Sequence, residues 1–212
     1  MINYLFSGIN SEKGFTKEQS KYLKKDIKNN SNIVFIASVF SDYKRNDWLF
    51  ESYIKCFRNN NIKFRKSSII DDRISITLAH KLIKDVDIIF LLGGNPEMQM
   101  RSINQYALRK YIKKVNIVIG VSAGSMNQSK RVMYKNDFEN FVMKDYEGLG
   151  LVTINIFPHV DLNNRTIIKE VMEISDYLPL VLLPNDSFIR ISNKVEYFGK
   201  YYFIKNREII SD

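Results

Sequence analysis

The chain has a single cysteine among its 212 residues. No intrachain disulfide can form, so packing and hydrogen bonds must hold the fold. A lone thiol suits a reducing compartment, and a cytoplasmic location is expected. Cys56 falls in the stretch Trp48 to Phe57, which reads as a helix, and a buried structural thiol is expected there. Histidine is almost as scarce, with only His80 and His159. No run approaches the 18 apolar residues that a membrane-crossing helix needs. Met1 to Gly8 is uncharged and strand-like, without the basic start and apolar length of a signal peptide. Zinc-ligand spacing, aromatic RNA-binding motifs, a basic tail, internal repeats and low-complexity linkers are all missing.

What is present is an ordinary globular balance, with 45% hydrophobic and 26% charged residues. The length suits one domain spanning residues 1–212. The net charge of +9 comes from lysines scattered along a chain rich in Ile, Asn and Lys. Their densest cluster, Lys21, Lys24, Lys25 and Lys28, sits on an amphipathic helix pattern. Neither nucleic acid nor membrane is therefore an expected partner, whereas a positive field would draw in small acidic substrates.

Strand and helix patterns alternate over the first two-thirds. Ile2 to Phe6 reads as a strand, and Thr16 to Ile27 as a helix with Thr16 and Gln19 spaced as a capping box. Ile33 to Val39 is a nearly continuous apolar run, as in a strand buried on both faces. A helix over Asp47 to Phe57, a strand beginning at Ile62 to Phe64 and a helix over Ser75 to Lys84 follow. Asp87 to Leu92 and Asn116 to Gly120 are further strands, flanking one or two helices between Pro96 and Lys114. Residues 129–150 read as an excursion over the sheet edge. Thr153 to Phe157 (strand), Asn164 to Ile174 (helix), Val181 to Leu183 (strand) and short antiparallel strands over Phe188 to Ile210 complete the pattern. The expected fold is α/β, with a mostly parallel sheet, helices on both faces and an antiparallel C-terminal region. Sites in such sheets collect at the carboxyl ends of the strands.

Chemistry is densest at Ile117 to Ser125, where an apolar strand runs into Gly120-Val121-Ser122-Ala123-Gly124. A nucleophile elbow turns so tightly that its neighbours must be small, and it aims the next backbone N–H, that of Ala123, at a developing oxyanion. A second turn, Gly93-Gly94-Asn95-Pro96, follows another buried strand. Gly94 could supply a second oxyanion N–H, and Asn95 could cap the helix that Pro96 begins. A serine nucleophile needs a base. His80 lies mid-helix, whereas His159 follows a strand and Pro158, on the same edge as Ser122. A third group must orient the base; Asp137, Asp161 and Asp186 are candidates, and position alone does not choose among them.

These motifs resemble those of peptidase E, the aspartyl dipeptidase, and its cyanophycinase relatives. The matching stretches are Asp87 to Asn95, Ile119 to Ser125, Asn136-Asp137, Pro158-His159, and Leu183-Pro184 followed by Phe188 to Asn193. The resemblance implies a class I glutamine-amidotransferase-like fold in three layers. It implies Ser122 as nucleophile, His159 as base, Asp137 as the acid of the triad, and Gly94 and Ala123 as the oxyanion hole. It also implies substrate binding by Asn95 and Arg165, the latter resembling an arginine that holds an aspartyl side chain. The chain departs from the pattern at Asn185-Asp186-Ser187, where the family often has an acid and a glycine, and at Val121, where peptidase E has a bulky aromatic. The activity implied is hydrolysis of small peptides with an N-terminal aspartate through an acyl-enzyme. Such chemistry calls for no metal and no organic cofactor, and the protein would work as a monomer or homodimer. A small serine esterase and a non-catalytic binding module on the same fold are the alternatives.

Overall fold

The computed structural model describes residues 1–10, 13–136 and 142–210. Its centre is a seven-stranded sheet in the order β11-β10-β1-β5-β4-β2-β3. The strands are β1 (Ile2–Phe6), β2 (Asn32–Ile36), β3 (Lys66–Ile70), β4 (Ile88–Leu91), β5 (Ile117–Val121), β10 (Phe188–Ile191) and β11 (Val195–Phe198). The five from β1 to β3 in that order run parallel, and β10 and β11 add antiparallel to the β1 edge.

The apolar runs are continuous because both faces of this sheet are covered. Side chains alternate between the faces with period two. Tyr4, Phe6, Phe35, Phe90, Ile119 and Phe188 point to one face and pack against α1 (Lys17–Asp26) and α2 (Tyr43–Asn59). Val34, Ile36, Ile89, Leu91 and Val118 point to the other, against α3 (Ile76–Lys84), α4 (Pro96–Gln105) and α5 (Arg109–Ile112). The capping box is present: Thr16 Oγ1 accepts from Gln19 N, and Gln19 Oε1 accepts from Thr16 N. Helix α2 begins earlier than the pattern predicts, because the Asp42 side chain caps it by accepting from Arg45 N. The strand expected from Ile62 starts instead at Lys66. Ile62 and Phe64 belong to the connection, where they pack beneath Phe57 at the end of α2.

A second sheet, β13-β12-β9-β8, differs from the single central sheet read from the sequence. It comprises β8 (Ile156–Pro158), β9 (Leu180–Leu183), β12 (Tyr202–Lys205) and β13 (Glu208–Ile210). Ile156, Val181 and Leu183 turn one face of it onto Leu5 and Ile189, over the part of the main sheet that α3 and α4 leave open. Its other face is covered by α7 (Arg165–Ser175) through Val171 and Ile174. The excursion is an antiparallel hairpin of β6 (Arg131–Asn136) and β7 (Val142–Glu147), reached from the short helix α6 (Ala123–Met126). No helix among the described residues is long and apolar enough to cross a membrane.

Candidate active site

Five strand ends from the two sheets meet in one place. The turn after β5 is set by main-chain sterics. A Cβ on Gly120 would lie 2.5 Å from the carbonyl of Gly124, and one on Gly124 would lie 2.2 Å from the carbonyl oxygen of Leu91 in β4. Neither contact is tolerable, so both ends of the pentapeptide must be glycine. Between them Ser122 takes φ 52° and ψ −113°, a conformation L residues rarely adopt. Its own N–H donates to the carbonyl of Phe6 (2.9 Å), and Ser125 Oγ donates to the same oxygen (2.8 Å). The elbow is thus tied to the end of β1 while its hydroxyl stands clear of the sheet.

Beside it, after β4, Gly94 has φ 142°. A Cβ there would lie 2.8 Å from Ser38 Oγ, whose hydroxyl donates to the Asn95 carbonyl (2.7 Å). Asn95 caps α4 by accepting from Met98 N (3.0 Å), so its side-chain oxygen is already engaged. Buried Gln99 donates through Nε2 to the carbonyls of Ile36, Ala37 and Leu92, locking the ends of β2 and β4 together.

His159 arrives from the second sheet. It follows β8 with φ 58°, and its N–H donates to Ser7 Oγ (2.8 Å). Ser7, at the end of β1, is fully buried and in turn donates to the Leu183 carbonyl at the end of β9 (2.8 Å). The imidazole spans two partners, with Nε2 2.8 Å from Ser122 Oγ and Nδ1 2.7 Å from Asn185 Oδ1. An amide oxygen can only accept, so Nδ1 carries the proton and Nε2 is left bare to receive that of Ser122. This is the tautomer a general base requires.

The residue on Nδ1 is an asparagine, where the sequence pointed to an aspartate. Asp161 is occupied locally, accepting from Asn163 N and Nδ2 through Oδ1. Asp186 lies one residue past the contact, in a left-handed conformation, and no hydrogen bond joins it to His159. Asp137 lies outside the described residues. Asn185 takes the place because β8 and β9 are parallel neighbours, with Pro158 opposite Leu183. Whatever follows one strand stands beside whatever follows the other. Phe157-Pro158-His159 and Leu183-Pro184-Asn185 share that pattern, and it was the signal available in the sequence. Ser7 and Gly8 carried no such signal. A Cβ on Gly8 would lie 3.1 Å from both Asn185 Oδ1 and His159 Cε1, so its bareness makes room for the pair.

Ser122 and His159 open into a cavity of about 760 Å³ that Gly94, Asn95 and Ala123 also line. The size suits a small organic ligand. Arg165, the first residue of α7, lines two neighbouring cavities instead, with Lys169 in both. The cations bordering the Ser122 cavity are Arg45 and Lys135. His80 is structural: its Nε2 lies 2.7 Å from the Tyr106 carbonyl oxygen. Cys56 is buried as expected, and burial pushes its thiol above the usual range. No cluster of three or more potential metal-binding side chains occurs among the described residues.

Two solved structures share the fold. A protein from Listeria monocytogenes EGD-e, described as a candidate peptidase E, is 18% identical with a TM-score of 0.70, over 93% of this chain and 97% of that one. A peptidase from an acI-B1 actinobacterium is 14% identical with a TM-score of 0.62, over 100% of this chain and 96% of that one. No curated protein gives a significant match. The model of peptidase family S51 matches residues 4–196, which takes in the elbow, the Gly93-Gly94 turn, His159 and Asn185. With that match over nearly its whole length, the chain belongs to peptidase family S51.

Proposed function

We propose that this peptidase hydrolyses small peptides, with dipeptides carrying an N-terminal aspartate as the preferred substrates, through an acyl-enzyme on Ser122. The observation that carries the mechanism is the chain of contacts from Ser122 Oγ through the His159 imidazole to Asn185 Oδ1. Ser122 attacks the scissile carbonyl as Nε2 of His159 takes its proton. The amides of Gly94 and Ala123 stabilise the oxyanion; such donors are typically worth about 3 kcal/mol each. His159 then protonates the leaving amine, and water repeats the cycle on the ester.

Asn185 orients the imidazole and fixes its tautomer. As a neutral amide it offers the imidazolium only a dipole. The charge formed on His159 in the transition state must therefore be met by solvent, to which the ring is exposed, or by charges further off. The aspartyl preference rests on the resemblance to peptidase E and on the cationic border of the cavity.

The test is hydrolysis of Asp-Leu and of an aspartyl p-nitroanilide, comparing the wild type with Ser122→Ala. Turnover should fall by roughly 10⁴-fold or more in the variant. A fluorophosphonate should label the wild type alone. Labelling without turnover of any aspartyl peptide would overturn the substrate assignment and leave a serine hydrolase. Absence of both would overturn the nucleophile.

A further inference from the structure

Three charged side chains border the Ser122 cavity: Arg45, Lys135 and Glu170. Two are committed to the fold. Glu170, 9% exposed, accepts the backbone N–H of Lys135 (2.7 Å). Lys135 Nζ forms an ion pair with Glu173 Oε2 (2.5 Å), which holds the Glu173 carboxyl below its usual range. Arg45 is different. No carboxylate among the described residues pairs with its guanidinium, which is exposed.

The backbone beneath Arg45 is nevertheless held firmly. Its neighbour Asn46 is buried and donates through Nδ2 to the Val39 and Phe40 carbonyls and to Asp71 Oδ2. Asp71 is itself gripped by Arg73. Arg45 occupies the first turn of α2, which holds no acidic residue. A cation there opposes the helix dipole, so helix stability does not account for it. Its Nη2 lies 3.9 Å from where a Cβ on Gly94 would stand, so the guanidinium reaches over the turn beside the nucleophile.

We propose that Arg45 is the carboxylate anchor of the Ser122 cavity and a specificity-determining residue for the substrate. This deepens the peptidase reading and rests on it. A planar guanidinium takes a carboxylate through two parallel hydrogen bonds, which sets orientation as well as affinity. The carboxylate is either the aspartyl side chain or the C-terminus of a dipeptide, and the two are separable by substrate choice.

The experiment compares kcat/KM for Asp-Leu, Asn-Leu and Asp-Leu-amide in the wild type, Arg45→Gln and Arg45→Lys. If the side chain is held, Arg45→Gln lowers the Asp-Leu to Asn-Leu ratio by roughly tenfold to a hundredfold, chiefly through KM. If the C-terminus is held, the Asp-Leu to Asp-Leu-amide ratio falls instead. Arg45→Lys keeps part of the preference in either case. Both ratios unchanged, or equal losses on all three substrates, overturn the proposal. Calorimetric titration of succinate separates this outcome from failure of the peptidase reading. Succinate should bind the wild type and bind Arg45→Gln at least about tenfold more weakly, even if no peptide is cleaved. Equal binding to both proteins, or none to the wild type, also overturns the proposal.

Discussion

Ser122 and His159 are held in place by different means. Ser122 is placed mainly by main chain: two glycines with no room for a methyl, and its own N–H bonded to the Phe6 carbonyl at the end of β1. His159 is placed by side chains, with Ser7 under its N–H and Asn185 on its ring, both reached from other strands. Steric exclusion by backbone is all or none, so the elbow has one geometry. The side-chain contacts that seat His159 can each be removed by a single substitution that leaves the main chain as it is. The contrast implies that substitutions at the elbow cost folding and Ser122 reactivity together, whereas those around His159 leave the elbow in place.

Gly124→Ala should break the comparison hardest. Its methyl meets the Leu91 carbonyl at 2.2 Å, so β4 and β5 must part. A stability loss of about 3 kcal/mol is expected, read as a lower urea midpoint with loss of labelling at Ser122. Unchanged denaturation would show that the turn can relax.

Asn185→Ala should leave the fold intact and reduce kcat by roughly 10- to 100-fold, or about 1.4–2.8 kcal/mol of barrier, with little change in KM. Asn185→Asp sharpens the point. A carboxylate beside Nδ1 favours the imidazolium, so the acid limb of the pH–rate profile should move to higher pH. Wild-type kcat in Asn185→Ala at every pH would remove this residue from the mechanism.

Ser7→Ala is the mildest change. It strips the acceptor from His159 N and the donor from the Leu183 carbonyl. About 1–2 kcal/mol of stability should go, with the elbow still able to react with a fluorophosphonate. Equal loss of labelling and stability would mean that the two halves of the site are not separable.

The same contrast explains what could be read from the sequence. The parallel sheet, the capping box at Thr16, the Asn95 cap and the elbow are local: propensity, periodicity and steric need act within a few residues. The boundary of β3 is not legible locally, because Ile62 and Phe64 are apolar for tertiary packing and lie outside any strand. The identity of the group on His159 depends on two strands pairing in a second sheet, across 26 residues of chain. Nothing local to His159 encodes it. Arg45 follows the same rule: on the sequence it is one cation among many, and only the fold brings it over Gly94.

The seat of His159 on Ser7 joins residues 152 positions apart. On the ribosome, β1 and the elbow emerge early; His159 comes 37 residues after Ser122, and Asn185 a further 26 after that. Any chain stopped before Asn185 carries a serine without an oriented base. The last contact of the site therefore waits on β9, which must be made and paired with β8 before the His159 ring has its partner.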